Sequence, residues 1–362
     1  MQRFPLASAP LGSAQGQKRR SAPLLSRRSR RLCWGSATAL LLPCVLTAAG
    51  APPAGTPPAP ATRHLARYPV RISAYVANSG SSTVSVYDTR LERKIGNAQV
   101  GRGPTGVGAA PDGDAVYVAN SRSDTTSFIN TGPRLLTATV PVRRRPFAAT
   151  PTRDGRYVLV ADFGSDAVSI ISVRARRVIG TLPVGPLPHS ITTVPDGRAY
   201  VTDNGGRSVT VLGRGLHATR DIRVGDFPSG ISSPPSGRRV YVSNTGSGTV
   251  SVIDPDTESV VATLPGGQAP LGNAVSPDGR RLYVADSARN CLLIIDIPAR
   301  RVIGHVPVGV DPQGVAVTPD GRRVWVTNEQ SDTVTVIDPY TQRVRATLPT
   351  GHEPEGIAIT PR

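Results

Sequence analysis

Residues 313–356 read QGVAVTPDGRRVWVTNEQSDTVTVIDPYTQRVRATLPTGHEPEG. Four short apolar runs lie in this stretch, and a turn signal cuts off each one. Val315-Ala316-Val317 stops at Pro319-Asp320-Gly321, and Val324-Trp325-Val326 stops at Asn328. The run from Val334 to Ile337 stops at Asp338-Pro339, and that from Val344 to Leu348 at Pro349-Thr350-Gly351. Short alternating runs bounded by Pro, Gly, Asn and Asp predict a four-stranded antiparallel meander. A single sheet of this kind leaves apolar surface uncovered and needs neighbours.

The chain supplies them by repetition. Counterparts of Trp325 stand at Tyr75, Tyr117, Leu159, Tyr200, Tyr241 and Tyr283, separated by 42, 42, 41, 41, 42 and 42 residues. The turn glycines Gly113, Gly155, Gly197, Gly237, Gly279 and Gly321 keep nearly the same period. Seven copies of a four-strand unit predict an all-β, seven-bladed β-propeller.

Strand composition orders each blade radially. The first strands, such as Gly272 to Ser276 and Gly314 to Thr318, are rich in Gly, Ala, Ser and Thr, which suits a crowded axis. The fourth strands carry Pro141, Pro183, Pro265, Pro307 and Pro349; proline cannot donate to a ladder, so these strands form the outer edge. The repeat begins on a second strand, residues 71–77, and ends on a first strand, residues 356–360. One blade therefore combines three N-terminal strands with one C-terminal strand, and this clasp shuts the ring.

Three segments precede or form the ring: an export signal or membrane anchor over 1–50, a Pro/Ala-rich linker over 51–67, and the propeller over 68–362. Residues 1–67 hold ten basic and no acidic residues, followed within the segment by an apolar run from Leu32 to Gly50 and small residues around Ala48-Ala49-Gly50-Ala51. That order is the pattern of an export signal, so an extracytoplasmic location is expected. Cys33 and Cys44 fall inside the leader, which leaves Cys291 alone in the ring, without a disulfide framework and at a position where other repeats carry threonine. The chain has 42 Lys and Arg against 25 Asp and Glu; removing the ten leader charges leaves 32 against 25, about +7 for the ring.

Tyr200-Val201-Thr202-Asp203, Trp325-Val326-Thr327-Asn328 and Tyr75-Val76-Ala77-Asn78, with the Pro-Asp-Gly turns that precede several such segments, resemble the YVTN family of β-propeller repeats. The resemblance covers roughly residues 70–362. It implies the propeller fold, and its functional range includes YncE-like periplasmic proteins, surface-layer proteins, lactonase-like enzymes and cofactor-enzyme subunits.

Asn78, Asn120, Asp162, Asp203, Asn244, Asp286 and Asn328 recur in every blade on one face, so each is expected to fix a loop by a side-chain-to-backbone hydrogen bond. What varies is more informative. At the start of each inner strand the pattern is Pro-x-Gly or a near variant, with x expected at the channel mouth. Around the ring x reads Thr105, Phe147, His189, Ser229, Leu271, Gln313 and Glu355. Flanking positions add Arg144, Arg145, Asp226, Asp311, His352 and Glu353. His189, Glu355, His352 and Asp311 form the leading pocket candidate, set against a merely solvated rim. These histidines and carboxylates share no metal-ligand spacing, so neither a metal nor a cofactor is assigned.

The opposite face is dense in arginine: Arg238, Arg239, Arg280, Arg281, Arg322 and Arg323 lie at the inner turns and are candidates for holding an anionic polymer. Few aromatics accompany them, which argues against a base-stacking platform for single-stranded nucleic acid. The sequence alone therefore leans to a non-enzymatic, monomeric binding or scaffold module of the cell envelope, with a protein, polysaccharide or small-molecule ligand on its face. The alternatives are a lactonase-like or lyase-like enzyme working at the channel mouth, and YncE-like binding of nucleic acid or another anionic polymer.

Overall fold

The computed structural model describes residues 72–361. The expected leader, linker and N-terminal cysteines lie outside the described residues. The described chain folds as seven four-stranded antiparallel sheets arranged as the blades of a propeller, with no α-helix and two single-turn 3-10 segments, Ser287–Arg289 and Glu329–Ser331.

Blade 1 is the clasp. Ser73–Asn78, Thr83–Asp88 and Arg93–Gln99 form its three outer strands, and the C-terminal Pro354–Ile359 pairs with Ser73–Asn78 as the innermost. Thr360 N–H donates to the Ser73 carbonyl and its hydroxyl accepts from Ser73 N–H, both at 3.0 Å. Blades 2 to 7 follow in chain order. Their inner strands are Pro104–Ala109, Pro146–Pro151, Pro188–Thr193, Pro228–Ser232, Pro270–Val275 and Pro312–Val317.

The hydrophobic core lies between blades rather than within them. Each pair of neighbouring blades encloses one cluster, such as Ala74, Val76 and Tyr87 of blade 1 against Trp325, Val334 and Val336 of blade 7. Trp325, the fully buried residue of the repeat aromatic position, packs against Tyr87 with ring centroids 5.7 Å apart. Cys291 is buried at the start of a third strand, and burial pushes its thiol pKa up, which keeps it an inert packing residue.

Small residues on the inner strands are required by backbone contact. A Cβ on Gly272 would run into the Gln313 carbonyl of the next blade, one on Gly314 into the Glu355 carbonyl, and one on Gly356 into the Thr105 carbonyl across the clasp. The glycine of Pro-x-Gly is thus the point where the x residue of the following blade presses its carbonyl inward.

The recurring Asn or Asp is fully buried in every blade. The loop-fixing role is real but has two halves. Asn78 Nδ2 donates to the Thr83 and Ser85 hydroxyls, tying the second strand to the third, while its Oδ1 accepts from Gly351 N–H in the loop from blade 7. In blade 6 Cys291 and Leu293 replace the two hydroxyl residues, and Asp286 turns to backbone, accepting from Gln268 N–H at 2.9 Å and Ala269 N–H at 3.0 Å, with Arg289 Nε 4.0 Å away.

Candidate active site

A strained pivot and a bulge aim side chains at the axis. Arg145, Leu187, Phe227, Asp311 and Glu353 precede the inner-strand prolines with φ between 50° and 55°, the left-handed region that non-glycine residues rarely occupy. Their backbones are clamped from the neighbouring blades: Asp311 N–H donates to Asn290 Oδ1 and Glu353 N–H to Asp332 Oδ1, each at 2.9 Å. After the proline the register shifts in every blade, as between Pro312 and Val315 against the second strand. The x residue therefore sits in a β-bulge inside the strand.

The bulges surround a central cavity of about 210 Å³. Thr105, Phe147, His189, Leu271, Gln313 and Glu355 line it, six of the seven x residues. One layer deeper Val107, Ala149, Ile191, Ile231, Val315 and Ile357 make an apolar floor, interrupted only by Asn273. Asn273 is engaged within the scaffold, donating to Ser243 Oγ at 2.7 Å and the Gly230 carbonyl at 3.1 Å.

His189 lies flat against Phe147, with ring centroids 3.9 Å apart and planes inclined by 32°. Its Nδ1 is 3.0 Å from Ser190 Oγ. Burial pulls its pKa down to about 4, opposed by a ring hydrogen bond to the Ser229 backbone, so the imidazole is neutral at physiological pH.

Glu355 is the opposite case. Burial pushes its carboxyl up to about 7; the charges of Glu329 and Glu353 reinforce this and that of Arg122 opposes it. A carboxyl balanced between its two forms near neutrality can both take and return a proton.

The other candidates do not line the cavity. Asp311 supports it, accepting from Gln313 Nε2 at 2.9 Å and Gln330 Nε2 at 3.2 Å. Glu353 accepts from Ser79 Oγ at 3.2 Å and lies 3.7 Å from the Arg122 guanidinium. His352 is exposed and pairs with Asp332 at 2.9 Å, Asp226 pairs with Arg207 at 2.8 Å, Arg145 stacks over Phe163 at 5.4 Å, and Arg144 is exposed at the rim. The pocket expected from His352 and Asp311 together with His189 and Glu355 is therefore corrected: the left-handed pivot leaves its flanking residues on the rim, and the bulge carries only x inward. Among the described residues no group of three His, Cys, Asp or Glu side chains gathers as a metal-binding cluster.

On the opposite face the arginines divide. Arg281 stacks over Tyr340 at 5.1 Å and donates to the Pro339 carbonyl, Arg323 bonds Glu92 at 2.6 Å, and Arg239 pairs with Asp254 at 3.2 Å. Arg281 and Arg323 thereby rivet one blade to the next. Arg238, Arg280 and Arg322 have exposed side chains.

Phe147, Leu271 and Thr105, expected at the channel mouth but not among the binding candidates, line the cavity, as does Ser190, which the repeat pattern did not single out. The repeat period itself could have found the Phe147 and His189 stack, since x residues 42 apart occupy neighbouring inner strands.

Residues 190–355 match the sequence model of the family described as SMP-30/Gluconolactonase/LRE-like region, a span that includes Glu355 and begins one residue after His189. No curated protein matches the chain. Among solved structures, a putative 6-phosphogluconolactonase from Bacteroides uniformis is similar with a TM-score of 0.69 and 17% identity, covering 80% of this chain and 99% of that one. A second putative 6-phosphogluconolactonase, from Bacteroides fragilis, gives 0.70 and 15% over 81% and 99%. Hydrazine synthase of Kuenenia stuttgartiensis gives 0.66 and 22% over 72% and 90%.

At these identities the structural likenesses establish the fold. The propeller fold expected from the motifs is thereby shown, while their finer YVTN-repeat, YncE-like identity is not; the lactonase-like match spans less than half of the chain. The leaning towards a non-enzyme is corrected: residues 190–355 match a family model whose description names gluconolactonase. Varied polar residues at x had looked compatible with a passive rim because their burial was not legible from spacing.

Proposed function

We propose that the protein is a lactonase-like hydrolase acting in the central channel, with Glu355 as the general base. The observation that carries this reading is a carboxyl placed in the central cavity, over an aliphatic layer, and held near pH 7 by burial. The family match over 190–355 supports the same reaction class.

The Glu355 carboxylate takes a proton from water as the water oxygen bonds to the lactone carbonyl carbon. The tetrahedral intermediate collapses with cleavage of the ring C–O bond. Glu355 returns the proton to the departing alkoxide, and the product is the open hydroxy acid. Each half of this cycle needs a group whose two protonation states are close in energy. His189 acts as a positioning residue: neutral, in hydrogen-bond contact with Ser190 and stacked on Phe147, it presents a fixed wall opposite Glu355.

The test is hydrolysis of a panel of lactones by the wild-type chain and by Glu355→Gln. The variant keeps the side-chain size and removes the base, so turnover should fall about 10²–10⁴-fold. Equal turnover by both proteins would refute the role of Glu355. An extracytoplasmic location, expected from residues 1–50, would place the reaction outside the cytoplasm, and fractionation with N-terminal sequencing tests it.

A further inference from the structure

Among the described residues Glu355 is the one acidic side chain that lines the cavity, and no lysine or arginine lines it. His189, the other titratable lining residue, is neutral. Two basic groups of the rim have partners there: Arg122 faces Glu353 at 3.7 Å, and Arg145 covers the Phe163 ring at 5.4 Å. Arg144, also on the rim, is exposed.

An anionic substituent inside the cavity would thus meet one carboxylate and no cation. Removing a phosphate or carboxylate from water without a partner is costly, and a like charge beside it adds to the cost. An apolar substituent meets the opposite conditions. The floor is aliphatic at six of its seven positions, and Phe147 and Leu271 extend that surface up the wall. Gln313 and Glu355 put polar groups on the closing side of the ring, whereas Thr105 and Asn273 are spent on scaffold hydrogen bonds.

Resting on the hydrolytic reading above, we infer that the substrate is an uncharged lactone bearing an alkyl substituent, which enters the apolar floor, and not a phosphorylated or carboxylated sugar lactone. The inference separates this channel from the substrate named for the two Bacteroides structures.

The experiment is calorimetric titration of the full chain with two non-hydrolysable probes: an alkyl-substituted δ-valerolactam and the same lactam ending in a phosphate. The alkyl probe should bind at least about tenfold more tightly, because its chain buries apolar surface while the phosphate buries an unpaired charge. Phe147→Ala should reduce that preference and Phe147→Leu, which retains an apolar wall, should keep most of it. Glu355→Gln should narrow the gap by improving the phosphate probe. Equal or tighter binding of the phosphate probe to the wild-type chain, or binding of neither probe, would overturn the assignment. Turnover of the corresponding alkyl lactone is measured separately. Preferential binding of the alkyl probe without turnover would support the substrate class and overturn the hydrolytic reading instead.

Discussion

Glu355 and His189 line the same cavity from inner strands three blades apart in a ring of seven, so they approach the channel from opposite sides. Burial drives their charges the same way: it raises the carboxyl and lowers the imidazole, and each moves towards its neutral form. The consequence is a channel whose only ionisation near neutrality belongs to Glu355. The acidic neighbours Glu329 and Glu353 sharpen this on the clasp side, while the His189 side is walled by Phe147.

Asp203 offers a test of buried charge away from the site. Burial raises its carboxyl to about 6, against hydrogen bonds from Ser208 and Thr210. Asn328 makes the equivalent pair of bonds in blade 7, donating to Thr333 and Thr335. A carboxylate whose folded pKa lies above its unfolded value destabilises the fold at higher pH, and the penalty fades as pH falls through the folded pKa. Asp203→Asn should therefore raise the melting temperature at pH 8, by on the order of 1–3 kcal/mol of stability, and the gain should shrink towards pH 5. Thermal unfolding at the two pH values measures it; a gain that is the same at both would contradict the assignment.

The clasp predicts a global effect from a terminal change. Deleting residues 356–362 removes most of the closing strand and both Thr360 bonds to Ser73. The whole ring should melt in one transition at a markedly lower temperature. Loss confined to blade 1, seen by hydrogen exchange, would show that closure contributes little.

Gly272→Ala tests the contact between blades. The added methyl would meet the Gln313 carbonyl, a backbone atom that cannot rotate away. Overpacking of this kind costs about 1–3 kcal/mol, read as a lower denaturant midpoint. An unchanged midpoint would mean that the inner strands can part at no cost.

Arg323→Ala should lower stability by about 1–2 kcal/mol through loss of its bond to Glu92 in the next blade, whereas Arg322→Ala should be neutral within about 0.5 kcal/mol. Parallel thermal melts of the two variants compare a rivet with an exposed neighbour. Binding of DNA or wall polymers that falls steeply between about 50 and 200 mM salt, and less steeply in Arg238, Arg280 and Arg322 variants, would give the exposed arginines an anion-binding role.

The ring, its radial order and its clasp were legible because they are written in a period, in turn glycines and in edge prolines. The x positions were legible for the same reason: the scaffold leaves them free to vary. The flanking residues misled because adjacency in sequence does not survive a left-handed pivot followed by a bulge, which sends Glu353 to the rim and Glu355 to the cavity. Arg322 and Arg323 look alike in sequence, yet one is exposed and the other is bound to Glu92, a residue 231 positions away. Burial of Glu355 was likewise hidden, since it depends on strands contributed by the whole ring, and with it went the clearest sign of catalysis.

The most direct measurement is the pH dependence of kcat/KM for a hydrolysed lactone, taken on wild type and Glu355→Gln. The base works only when ionised, so activity should rise with pH through an inflection near 7, set by the burial of Glu355, and level off above it. Glu355→Gln should lose both the activity and the inflection while its thermal unfolding remains cooperative. Glu355→Gln turning over at the wild-type rate with the same profile would contradict the account.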